Sequence, residues 1–93
     1  MGRVLVPTKR FTRAYRRLAA RDQELVDQAI QSLRGYLDTG QAAAGLGITK
    51  LGPGVFEARA GLALRLVYVE EGSEAVLVLL GNHDEVRRFL RRQ

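Results

Sequence analysis

Lys50–Val86, KLGPGVFEARAGLALRLVYVEEGSEAVLVLLGNHDEV, decides how this chain folds. The stretch reads as three consecutive strands followed by a polar turn that carries the chain's only histidine, His83. Successive side chains of a strand point to opposite faces of a sheet. In Val55–Ala60 that sends Phe56, Ala58 and Ala60 one way and Val55, Glu57 and Arg59 the other. In Leu62–Val69 it separates Leu64, Leu66 and Tyr68 from Ala63, Arg65 and Val67. Phe56 and Leu64–Tyr68 ask for a core, so Glu57, Arg59 and Arg65 belong together on the opposite face. Two guanidiniums, a carboxylate and a neighbouring histidine on one face suggest a site for a phosphate ester.

Outward from this stretch the remaining elements follow from local signals. Ala60-Gly61 and Glu70–Glu74 are hairpin turns, and Ala75–Leu80, apolar on both faces, is a covered interior strand. Asn82 can cap a short final helix, with Glu85 three residues on as its capping-box partner. Upstream, GPG turns the chain into the first of the three strands after a lead-in at Lys50-Leu51, and TGQAAAGLGIT is a small, glycine-rich loop. A helix from an N-cap at Asp22 to about Asp38 presents Leu25, Val26, Ala29, Ile30, Leu33 and Leu37 as one stripe. Thr8 caps an earlier helix through about Ala20, with Phe11, Ala14, Tyr15 and Leu18 on one side and Arg10, Arg13 and Arg17 on the other. Arg3–Val6, stopped by Pro7, is a short edge strand. The order is β-α-α-β-β-β-short α. It predicts an α+β fold, an N-terminal helical hairpin packed on one face of a mainly antiparallel four-stranded sheet.

The totals narrow the chemistry. Residues 1–93 are enough for one domain with its own core. No cysteine means no disulfide frame and no thiolate metal site, and a single histidine disfavours a catalytic zinc or iron centre. The net charge is +5, and 13 of the 15 basic residues are arginine, whose planar fork suits phosphate, though a GC-rich gene enriches arginine as well. The start MGRVLVPTKR lacks the apolar run of a signal peptide, and no segment is long enough to span a bilayer, which points to the cytoplasm and away from a membrane.

This order, with GVFEARAGLALRLVYVEEG and the ending GNHDEVRRFL, resembles the RelE/ParE superfamily of toxins from type II toxin–antitoxin modules. The first segment is similar to that family's turn, Y/F-x-x-R/K, polar hairpin and R-x-x-Y. The second is similar to the G-x-[HR]-x-x-V-Y ending of the RelE-like branch. Arg59 falls at the basic position of the first strand, Arg65 at the arginine of the middle strand, and His83 at the basic position after the glycine that ends the last strand. Two positions depart. Glu57 stands where RelE often has lysine, and Arg87 stands where the ending expects tyrosine, although an arginine plane also stacks on a base. The resemblance implies a translation-inhibiting mRNA endoribonuclease, metal-independent and without a small-molecule cofactor, that works by 2′-hydroxyl attack in the decoding site of the ribosomal 30S subunit. It also implies an antitoxin protein partner. ParE-type members, which inhibit DNA gyrase without cutting, share the fold, and an inactive relative serving a repressor complex with its antitoxin is a third reading.

On that resemblance the catalytic candidates are His83 for proton transfer, Arg65 and Arg59 for the phosphate oxygens, and Glu57 for a second proton-transfer role or for orienting an arginine. Lys50, Arg87, Arg88, Arg13 and Arg17 are the candidates for binding RNA. Each has a plainer reading. His83 can simply start a helix. Arg65 can pair across strands with Glu57. The arginines of the first helix can be a solvated face, and Arg87, Arg88, Arg91 and Arg92 suit a helix C-terminus by its dipole alone.

Overall fold

The computed structural model describes residues 2–92. These form β1 (Val4–Pro7), α1 (Lys9–Arg16), α2 (Ala20–Thr39), β2 (Thr49–Gly52), β3 (Val55–Ala60), β4 (Leu64–Glu71), β5 (Glu74–Gly81) and α3 (His83–Arg91). The sheet runs β1-β5-β4-β3-β2, with β1 parallel to β5 and every other neighbour antiparallel. The α+β order is the one the sequence predicts, with one strand more. Thr49 and Lys50 pair with Glu57 and Phe56, so the supposed lead-in is β2 and the sheet has five strands among the described residues. Four residues with two polar side chains and a register irregularity give no visible alternation, which is why this strand does not announce itself.

Caps set the helix ends. The Thr8 hydroxyl accepts from the Phe11 amide at 3.2 Å and donates to the Leu77 carbonyl at 2.9 Å, starting α1 and fastening it to β5. The first helix stops at Arg16, short of Ala20, because Arg17 and Leu18 turn back onto Ala14 and Tyr15. The second begins at Ala20 behind an extended Ala19, which leaves Asp22 in its first turn instead of at the cap. Gly40, at φ 77°, ends it with its amide on the Tyr36 carbonyl at 2.7 Å. Residues 61–63 are spent on the β3–β4 turn, so β4 starts at Leu64 and Leu62 stands 98% exposed at the tip.

Both faces of the sheet are covered, unequally. Phe11, Val26, Ala29 and Leu33 of the hairpin pack on Leu5, Ala58, Leu66, Tyr68, Leu77 and Leu80. Each leucine, valine or phenylalanine among them contributes roughly 1.5–3 kcal/mol on burial. The other face holds a smaller cluster in which Val86, Phe89 and Leu90 of α3 lie over Val67, Val78 and Leu79. A bulge makes this division possible. Tyr68 pairs with Leu77 but Val67 pairs with Leu79, so Val78 is an extra residue in β5. It resets the alternation: Leu77 and Leu80 face the hairpin, while Val78 and Leu79 face α3. Among the described residues no helix is long and apolar enough to cross a membrane.

Candidate functional site

The register that follows the bulge builds a row. Arg59 stands opposite Arg65, and Arg65 stands opposite Gly81. Cross-strand partners share a face, so both arginines project from the side away from the hairpin, with Gly81 level with them. Strands lie about 5 Å apart, so the row spans roughly 10 Å. His83 follows two residues after Gly81 as the first residue of α3, and it is exposed.

The cap holds that histidine's backbone. The Glu85 amide donates to Asn82 Oδ1 at 2.9 Å and the Asn82 amide donates to Glu85 Oε1 at 3.0 Å, a reciprocal capping box. Asn82 and Glu85 are therefore capping residues. Gly81 lets the Glu85 carboxylate fold back, since a Cβ there falls 2.9 Å from it.

Arg65 and Glu57 are a pair. Arg65 Nε lies 3.5 Å from Glu57 Oε1, and the two side chains are only 15% and 13% exposed. Arg65 Nη1 also donates to the carbonyls of Leu62 at 3.2 Å and Leu64 at 3.3 Å. The cross-strand pairing thus exists, and it leaves the Nη2 end of the fork without an acceptor among the described residues. Of the two roles open to Glu57, this geometry supports orienting the guanidinium. Arg59 is exposed and in no ion pair among the described residues. Its stem lies across Gly47, where a Cβ meets Arg59 Cδ at 3.0 Å, and its amide donates to Leu46 at 2.7 Å.

The other candidates are distributed elsewhere. Lys50 stands opposite Phe56, which packs with the hairpin core, so it leaves β2 on the face away from the Arg59–Arg65 row. Thr49 is the β2 residue level with Glu57. Arg87 is exposed on α3. Arg13 and Arg17 line one cleft and Arg88 lines another that adjoins it. Arg10, absent from the sequence candidates, is common to both, and its spacing with Arg13 and Arg17 is the signal that marks it. No three His, Asp or Glu side chains gather as a metal-binding group among the described residues. The titration shifts lie away from the row. Burial pushes the Tyr68 phenol up to about 12, and a hydrogen bond to Asp27 Oδ1 at 2.8 Å raises that of Tyr15.

No protein-family model matches the chain, and no curated protein does. Solved structures do match. A copper-bound crystal structure of a mutant toxin from Helicobacter pylori has a TM-score of 0.70 at 22% identity, covering 92% of this chain and 99% of its own. This chain shares that toxin's fold. The solution structure of a conserved hypothetical protein, HP0894, from the same organism has a TM-score of 0.54 at 19% identity, with the same 92% and 99% coverage.

Proposed function

We propose that this protein is the toxin of a type II toxin–antitoxin module, a RelE-like endoribonuclease that cuts messenger RNA in the ribosomal decoding site. The observation that carries the reading is the Arg59–Arg65–Gly81 row with the exposed His83 at its end. The fold shared with a Helicobacter pylori toxin supports it from a separate direction. In the reaction a ribose 2′-hydroxyl attacks the adjacent phosphorus and the P–O5′ bond breaks. A 2′,3′-cyclic phosphate and a 5′-hydroxyl result. The 2′-hydroxyl proton goes to a base, and O5′ takes a proton from an acid. His83 is one of these two groups, because an imidazole can either take up or give up a proton. Arg59 and the Nη2 end of Arg65 bind the non-bridging oxygens and meet the charge that grows on them. Glu57 holds Arg65 in place. The second proton-transfer group is supplied by the ribosome, which makes the enzyme weak on free RNA. The cognate antitoxin presents acidic segments to the cationic surface and blocks it.

Primer extension on cellular messages after brief expression tests this. The parent produces cuts in phase with codons. A folded His83→Ala variant loses on the order of 10²–10⁴-fold in cutting rate. Cutting by that variant at the parent's rate removes His83 from the chemistry. Intact messages accompanied by broken or relaxed DNA assign the chain to gyrase inhibition instead.

A further inference from the structure

The β3–β4 turn is braced from two sides. Arg65 Nη1 donates to the Leu62 carbonyl at 3.2 Å. Gly61, at φ 71°, lies so close to α2 that a Cβ there falls 2.9 Å from Leu25 Cδ1. Leu62 is therefore carried outward on a fixed tip, where it is 98% exposed. Beside it opens a hollow of about 470 Å³, ample for a leucine side chain. Leu62 is one wall, and Arg21, Asp22 and Leu25 of α2, Ala60 of β3 and Leu64 of β4 are among the others. Ala60 and Leu64 pack with the hairpin core, so this patch lies on the hairpin side of the sheet, away from the Arg59–Arg65 row.

The patch holds a projection and a recess side by side, together with one charge of each sign. Arg21 and Asp22 are in no ion pair among the described residues, where the pairs are Arg3–Glu70 and Arg65–Glu57. They leave the patch neutral on a chain whose net charge is +5. Two such molecules repel in most orientations, and a neutral face is where that repulsion is least. An acidic partner, by contrast, gains more from the unpaired arginines of α1. A surface that carries both a feature and its complement fits a copy of itself turned about a two-fold axis. We infer that this patch is a contact between two copies of the chain. Leu62 of each copy enters the hollow of the other, and Arg21 of each faces Asp22 of the other. A turn tip and one helical turn bury less than the roughly 1,000 Å² of a stable interface, so the association is weak. The inference does not use the nuclease reading, since pairing on the hairpin side leaves the row of each copy uncovered.

Sedimentation velocity on the full chain, over concentrations from about 1 μM to 1 mM, tests this. The expected result is a monomer–dimer equilibrium with Kd on the order of 10–100 μM. Leu62→Asn, at a side chain that the fold does not bury, raises Kd by on the order of 100-fold, because two leucines leave apolar hollows at once. Arg21→Asp and Asp22→Arg each raise it about 10-fold by setting like charges opposite one another twice. Combined in one chain they bring Kd back to within about threefold of the parent, because each new charge again meets its opposite. A parent that stays monomeric throughout overturns the inference, and so does a dimer that Leu62→Asn leaves unchanged. A combined charge variant no tighter than the single ones overturns it as well. So does an oligoglutamate peptide that binds a monomeric chain through Leu62 and Arg21, which gives the patch to an acidic partner.

Discussion

Arg65 shows how one charge is accommodated in an otherwise apolar strand. Leu66, Val67 and Tyr68 beside it are buried, and its own side chain is 15% exposed. A guanidinium that far from water needs a partner, and Glu57 together with two turn carbonyls provides it. Removing one partner leaves the other charge stranded, while removing both does not. A double-mutant cycle with Glu57→Gln and Arg65→Gln, followed by urea unfolding, therefore gives a coupling of about 1 kcal/mol, with the double variant milder than the sum of the singles. Additive losses show that the 3.5 Å pair contributes nothing by itself.

At the scale of elements, α3 carries the only histidine and is set by its first turn. The capping box needs the Glu85 side chain to pass over Gly81, so the glycine is there for close approach and not for a positive φ. A Gly81→Ala methyl meets that carboxylate and opens the reciprocal bond. The expected loss is at most about 1 kcal/mol, because the Asn82 side-chain cap itself remains, and it appears as faster amide exchange at Asn82, whose N–H loses its acceptor. Exchange as slow as the parent's there shows that the carboxylate has another path. This cap was readable from Asn82 and Glu85, as was the one at Thr8, because capping is decided within four residues. The start of α2 was not readable, since Asp22 has the chemistry of a cap yet the chain turns three residues earlier at Ala19.

For the whole molecule, the larger, hairpin-side core holds Tyr68 buried and stacked on Phe56 with ring centres 5.4 Å apart. Burial is the main cause that holds its phenol at about 12, with the Tyr36 and Glu70 charges adding and Arg3 opposing. The unfolded chain ionises this group near pH 10 and the folded one later. Stability is therefore full below pH 10 and drains as pH rises through about 12. Between these limits the unfolding free energy falls on the order of 2 kcal/mol less for Tyr68→Phe than for the parent, as urea titrations at each pH read it. Parallel alkaline profiles for the two chains rule Tyr68 out as the cause.

Alternation, capping and charge type are local, so the sequence by itself determined which side chains of β3 and β4 share a face, where α1 and α3 begin, and that Glu57, Arg59 and Arg65 leave the hairpin side. Pairing is not local. An apolar run such as Ala75–Leu80 has no polar residue to mark its phase, so the extra Val78 is invisible until β4 and β5 are laid side by side. Only that tertiary contact decided that Gly81 is level with Arg65, and only the pairing with β3 made β2 a strand. The stop of β1 at Pro7, opposite Leu77, was settled in the same way, and Arg10, Arg13 and Arg17 line the cleft with Leu79 and Leu80 beyond it. Hydrogen bonds between residues far apart in the chain fix register, and no short window of sequence contains both partners.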